Sequence, residues 1–236
     1  MGRTAVIMQP TYLPWVGYFD LMDQADVFVL LDSVQFDRRS WQQRNRVKGP
    51  QGEQWLTVPV LSKGRVEQRI AEVQIDTSSG FARKHLESLR HAYGKAPSYA
   101  AYADGLARIL ESGHAHLAEL TGALIERLRD ALGIATPIVR SSSLGVGGKR
   151  VELLIEVCRA VGADTYLSPA GSRAYLETDD SFAQQGIALH YHAYVPVPYR
   201  QLYGAFLPFL SVVDLLFNEG DRSLAIVRAG RGTGEA

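Results

Sequence analysis

The sequence predicts an α/β fold: a Rossmann-like, mostly parallel sheet with an inserted β-hairpin and a helical segment, of which the nucleotidyltransferase and synthetase folds are variants. Three observations lead there. Thr4 to Val34 reads as a complete βαβ unit, two apolar runs flanking a short helix entered through prolines and a glycine. Ile138 to Leu167 repeats the rhythm as a strand, a Ser/Gly loop, a helix and a strand. Between these units, Phe81 to Leu132 carries apolar residues at three- and four-residue spacing, the period of amphipathic helices. Such alternation of strands and helices is the mark of a parallel sheet covered on both faces.

The first strand runs to Met8, and the turn Gln9 to Tyr18 follows it with two prolines that preset φ; Pro14 suits the first turn of a helix. Gly17 would let a ligand or another backbone come close, and Gln9 and Tyr18 offer hydrogen-bonding groups there. Phe36 to Gly52 is a basic, amide-rich loop. Alternation in Gln54 to Val60 and Ile70 to Ile75 predicts two antiparallel strands joined by the Ser62 to Arg69 turn. Helices are expected over Phe81 to Gly94, Tyr99 to Glu111 and His116 to Leu132, the last closed by Gly133. After the second βαβ unit come a short helix near Tyr175, a strand over Ala188 to Tyr194, a Pro/Tyr-rich loop and an apolar helix over Phe209 to Asn218. The expected organisation is one domain over residues 1–229, with the hairpin insertion at about 50–76, helices at about 81–132 and a flexible tail at 230–236.

Composition bounds the function. In 236 residues, 25 basic and 25 acidic side chains cancel, so no whole-chain field draws the protein to nucleic acid or an anionic membrane. Leu202 to Phe217 is the most apolar segment, but Pro208, Ser211 and Asp214 interrupt it, so no membrane span is expected. Ala5 to Met8 is too short for a secretory core, and Cys158, the single cysteine, suits a reducing compartment, so the expected location is cytoplasmic. A homo-oligomer is compatible with all of this.

The turn after the first strand is where α/β sheets place ligands, because a strand's carboxyl end and a helix's amino end converge there. Its spacing resembles the turn of nucleotidyltransferases and class I synthetases, which opens on His-x-Gly-His; Trp15-Val16-Gly17-Tyr18 keeps the glycine and lacks both histidines, so plain nucleotidyl transfer is not expected. Asp32, at the end of the second strand, either caps the next turn or serves as a general base or amine anchor. With Gln9 and Tyr18 it makes up the candidate catalytic set.

Candidate substrate-binding residues form a wider ring. Gln35 follows Asp32, and Trp41, Arg44, Asn45 and Arg46 combine a stacking surface with guanidinium forks suited to phosphate, though a solvated cationic loop has the same composition. Lys149 lies in Gly145 to Arg150, which lacks the spacing and the Ser or Thr of a Walker A loop and keeps only a glycine-rich helix entry. Ser168, Ser172 and Arg173 follow a later strand as the first turn follows its own. Tyr199 stands in the aromatic loop that would wall the pocket. His190 and His192 alternate on a strand, but two ligands are too few, and no metal site is predicted.

Six blocks, in order, resemble the WbqC-like protein family: Met8 to Met22 (MQPTYLPWVGYFDLM), Leu30 to Phe36 (LLDSVQF), Trp41 to Val47 (WQQRNRV), Trp55 to Val60 (WLTVPV), Tyr166 to Leu176 (YLSPAGSRAYL) and Leu207 to Asn218 (LPFLSVVDLLFN). The resemblance spans nearly the whole chain. It implies a bacterial protein met among genes for surface polysaccharides and specialised products, and a group transferase that attaches an acyl or aminoacyl group to an amine of a nucleotide-linked substrate. The expected ligands are therefore a phosphate-bearing small molecule and, as cofactor, a nucleotide or activated acyl donor. The alternatives are an adenylate-forming or nucleotidyltransferase-like enzyme and a noncatalytic protein that binds a sugar nucleotide or a partner.

Overall fold

The computed structural model describes residues 2–65 and 67–232. Its elements run β1 (Thr4–Met8), α1 (Val16–Asp23), β2 (Val27–Leu30), β3 (Arg44–Gly49), β4 (Gly52–Thr57), α2 (Phe81–Tyr93), α3 (Tyr99–Glu111), α4 (Leu117–Leu132), β5 (Ile138–Arg140), α5 (Val151–Ala160), β6 (Thr165–Ser168), α6 (Arg173–Leu176), α7 (Ser181–Gln184), β7 (Ala188–Tyr191), α8 (Val212–Glu219) and α9 (Ser223–Ala229). Five strands make one sheet in the order β5-β2-β1-β6-β7, and every neighbouring pair is parallel. β3 and β4 form a separate antiparallel hairpin. The fold is thus the α/β class that the sequence predicts.

The apolar runs of β1 and β2 follow from this topology, because both faces of a central parallel strand are buried. Val6, Phe28 and Leu30 enter a core shared with α1, α4, α8 and the hairpin, whereas Ala5, Ile7, Val27 and Val29 enter a second core shared with α5 and α7. Each large apolar side chain fully removed from water there contributes about 1.5–3 kcal/mol. The chain steps outward through β1, β2 and β5, then returns to the far side of β1 for β6 and β7. That reversal, between β1 and β6, opens a crevice at the carboxyl ends of the strands.

Two local expectations are corrected. The hairpin lies earlier than the alternation suggests, because Gly49-Pro50-Gln51-Gly52 makes its turn, with Gly52 at φ +104°, and the basic run Arg44 to Lys48 is itself the first strand. Ile70 to Ile75 forms no hairpin strand: Ile70–Glu72 is a 3-10 turn, and Ile70, Val73 and Ile75 are its buried residues. Its amides donate elsewhere, Ile70 to Val34 O and Ala71 to Asp32 O, and Val60 pairs with Ile75 by one isolated bridge. The three middle helices stand where their period places them, and Gly133 closes α4 at φ +76°.

The expected tail starts too early. Arg231 bonds Asp20 and Asp23 and bridges to Tyr194, and Gly232 N donates to Ala193 O at 3.0 Å, so the chain is anchored to residue 232, and the remainder of that prediction, 233–236, lies outside the described residues. Asp20 is also held by His192 at 2.7 Å, while Asp23 accepts two bonds from Arg228 at 2.8 Å. His192 is buried in this cluster and His190 is exposed, so the pair that alternation puts on one face is split. No helix among the described residues is long and apolar enough to cross a membrane.

Candidate functional site

Two adjoining clefts open at the carboxyl edge of the sheet. One, of about 300 Å³, sits at the switch point and is bounded by the ends of β1 and β2 (Met8, Gln9, Leu31), by α5, and by the turn after β6 with Pro169, Ser172 and Tyr175. The other, of about 340 Å³, is walled by Trp15, Tyr18, Trp41, Arg46 and Phe209. Met8, Thr11 and Trp41 line both.

The rigid turn builds the common wall. Leu13, buried with φ +44°, presents its carbonyl to Asn45 Nδ2 at 2.8 Å, and Pro14 O accepts the amide of Val212 at 2.8 Å. Tyr12 N donates to Trp41 O at 3.0 Å, and the Tyr12 hydroxyl reaches His85 Nδ1 at 2.8 Å. Burial lowers the His85 pKa to about 4, so its ring is neutral. Gly17 does admit a close approach, but by the chain itself: a Cβ there would lie 2.2 Å from the Trp15 indole, which folds back over the first turn of α1 as a wall of the aromatic cleft.

The loop 37–43 is fixed with equal care. Asp37 N donates to Gln42 Oε1 at 3.1 Å, Gln42 Nε2 donates to Gln9 Oε1 at 2.8 Å, and Gln43 Nε2 donates to Val58 O at 3.1 Å. Gln9 thus uses its amide oxygen in this chain, and its Nε2 has no hydrogen-bond partner among the described residues. Trp41 remains 47% exposed and stacks on Trp55 at 5.5 Å, with the Arg44 guanidinium 4.5 Å from the Trp55 ring. Arg46 is held by Glu53 through two bonds, at 2.8 and 3.0 Å.

The structure therefore brings together Gln9, Tyr18, Trp41, Asn45, Arg46 and Ser172 as lining residues. Tyr18 is buried to its hydroxyl, which donates to Gln9 O at 3.3 Å, and burial holds its pKa well above the ordinary phenol value. Asn45 is engaged on both sides of its amide, by Leu13 O and by Arg46 N. Asp32 is buried behind the rim: Ser141 Oγ and Ser142 N donate to Oδ1 at 3.1 and 2.9 Å, and Ser142 Oγ donates to Oδ2 at 2.9 Å. Its carboxylate thus ties β2 to the loop after β5.

The other predicted residues line neither cleft. Gln35 is exposed beside its backbone bridge to Arg69, and Lys149 is exposed in its loop. Ser168 is buried at the end of β6 with its hydroxyl 3.5 Å from Pro169 O. Arg173 lies 4.5 Å over the Tyr191 ring, and Tyr199 donates to Asp214 Oδ1 at 2.8 Å in a separate buried cluster. Sequence reasoning passed over Thr11, Gln42, Tyr175 and Phe209, all lining residues. Thr11 stands within the signalled turn, and its hydroxyl, at the boundary of the two clefts, has no hydrogen-bond partner among the described residues.

Chemically, the switch-point cleft offers uncharged donors and acceptors, from Gln9, Thr11, Ser40, Gln42, Ser172 and Tyr175, and the aromatic cleft offers ring faces with one guanidinium. Among the described residues, no carboxylate, imidazole, thiol or ammonium lines either one.

Comparison with known proteins places the chain. The profile of the WbqC-like protein family matches residues 9–226, and the chain belongs to that family. It is 37% identical over 220 residues to the uncharacterized protein Rv1507c of Mycobacterium tuberculosis, a match that covers 92% of this chain and 94% of the relative. No solved structure matches it.

Proposed function

We propose that the two clefts together bind a nucleotide-linked small molecule and that the chain is a group transferase acting on it, attaching an acyl or aminoacyl group to an amine of that substrate. The observation that carries the binding half is the shared wall of Met8, Thr11 and Trp41, which makes one continuous crevice at the topological switch point from a ring-lined half and a half lined by amides and hydroxyls. Uncharged hydrogen-bonding groups match the hydroxyls of a sugar, and aromatic faces match flat or apolar rings. Family kinship supports the transfer half by association.

Catalysis in such a crevice is chiefly positioning. Among the described residues no carboxylate, imidazole or ammonium lines its walls, so the reaction is aminolysis of an already activated acyl donor by a neutral amine: the amine nitrogen bonds to the carbonyl carbon, the bond to the leaving group breaks with its electron pair going to that group, and the proton lost from nitrogen passes to the departing group, directly or through water. Gln9 and Ser172 orient the amine-bearing sugar. Asp32 acts as a positioning residue that holds the β5 loop against the rim. The same absence of a base favours a second reading, binding without catalysis.

Thermal-shift titration with uridine, adenosine and cytidine diphosphate sugars tests the binding. A ligand at about 100 times its Kd adds about 2.7 kcal/mol of stability, and the double variant Gln9→Ala, Trp41→Ala removes the shift. No shift with any member at millimolar concentration overturns the reading. Incubation of a binder that bears an amine with acyl and aminoacyl donors, followed by mass measurement, separates the two readings: an added acyl mass supports transfer, and an unchanged ligand supports binding alone.

A further inference from the structure

Phe209 stands in a conformation that packing alone does not explain. Its φ is +60°, a left-handed backbone that bulky residues avoid, and its ring is 50% exposed while the neighbouring Leu210 is 1% exposed. The chain on both sides is fixed. Gln201 brackets Leu207, accepting from Leu207 N at 2.8 Å and donating to Leu207 O at 3.1 Å, and Lys48 Nζ donates to Ala205 O at 2.5 Å. Ser211 N donates to Arg46 O at 2.9 Å. A strained residue persists only where its surroundings over-determine it, and such residues cluster at ligand clamps. Here the strain holds an exposed ring against Trp15, 5.5 Å between centroids, as a wall of the aromatic cleft.

A second observation in the same cleft is independent of the first. Arg46 Nε is buried without a hydrogen-bond partner, although the Nη1 of the same guanidinium is held by Glu53. Buried donors are rarely left unpaired in folded proteins, and Arg46, which carries this one, is among the residues that line the cleft. Of the other polar groups there, Asn45 and the Tyr18 hydroxyl are engaged within the protein and the Thr11 hydroxyl stands at the boundary with the switch-point cleft, so the hydroxyls of a pyranose would find few partners.

We propose that the aromatic cleft is a nucleobase subsite, in which a flat heteroaromatic ring lies against Phe209 and Trp41 and a ring carbonyl accepts from Arg46 Nε–H. The sugar and phosphate then cross Thr11 into the switch-point cleft. This assignment rests on the reading of the two clefts as one crevice, and it adds which end of the ligand lies where.

Four nucleoside monophosphates (UMP, CMP, AMP and GMP) and ribose 5-phosphate, which lacks the base, are the probes, read by calorimetry on the full chain. At least one nucleotide binds about tenfold or more tighter than ribose 5-phosphate, the effect of one base stacked on aromatic side chains. Phe209→Gly relieves the backbone strain, so its Tm equals or exceeds that of the parent, yet nucleotide affinity falls about tenfold. Ribose 5-phosphate affinity stays unchanged, and Phe209→Tyr keeps nucleotide affinity. Nucleotide affinity unchanged in Phe209→Gly overturns the subsite and leaves the crevice standing. So does a Phe209→Gly protein whose Tm falls by several degrees, because the ring is then a packing element. If the parent chain binds no nucleotide at all, subsite and crevice fall together.

Discussion

The crevice and the buried cluster around Asp214 use polar groups in opposite ways. Asp214, fully buried in the first turn of α8, accepts from Tyr93 at 2.7 Å and Tyr199 at 2.8 Å, and the Tyr93 hydroxyl in turn accepts the Lys48 amide at 2.7 Å. Burial raises the Asp214 pKa and lowers that of Lys48, whose ammonium is satisfied by Gln201 and two carbonyls. In the crevice, the Thr11 hydroxyl and Arg46 Nε have no partner among the described residues, and the rings of Trp41 and Phe209 are about half exposed. The lesson is that the Asp214 cluster closes its buried polar groups on one another, whereas the crevice keeps an unpaired guanidinium donor beside two exposed rings.

That contrast can be broken from the architectural side. Asp214→Ala strands two buried hydroxyls and removes the nearest counter-charge of Lys48, and the expected loss is about 3–5 kcal/mol in urea unfolding. Asp214→Asn keeps an acceptor and loses less. A loss below about 1 kcal/mol for the alanine variant would show that the cluster contributes little to stability.

A smaller effect comes from pH at His85, which supports the wall of the crevice through Tyr12. Its folded pKa, about 4, lies below the ordinary histidine value near 6.5, so between those values the unfolded chain binds more protons. Stability from this group is complete above about pH 6.5 and is lost as pH falls toward 4, by about 3 kcal/mol. Unfolding curves at pH 7 and pH 4.5, with the His85 ring followed by NMR, check both sign and window. A His85 ring that titrates near 6.5 would contradict the account.

Much of the fold was legible because its signals are local. Continuous apolar runs in β1 and β2 are what a doubly covered parallel strand requires, and the crevice follows from chain order alone. The hairpin was misplaced because Gln54 to Val60 alternates convincingly, while the true turn, Gly49 to Gly52, sits inside a basic run. Asp32 was found as a carboxylate at the crevice edge, but its partners Ser141 and Ser142 are more than a hundred residues away in sequence. Arg44 and Arg46 alternate on one strand, yet only Arg46 lines the cleft, while the Arg44 guanidinium lies over the Trp55 ring. Phe209 reads as the first residue of an apolar helix, whereas the helix starts at Val212, and only the folded backbone shows the strain and exposure of Phe209.

The central claim, that a nucleotide-linked ligand occupies the crevice, is tested most directly by the indole N–H signals of the three tryptophans. Trp15 and Trp41 wall the aromatic cleft, and Trp55 stands just outside it against Trp41. Titration with a nucleotide-diphosphate sugar should move the Trp15 and Trp41 signals in a saturable way and the Trp55 signal least. Three signals that stay fixed at millimolar ligand, or a shift confined to Trp55, would contradict it.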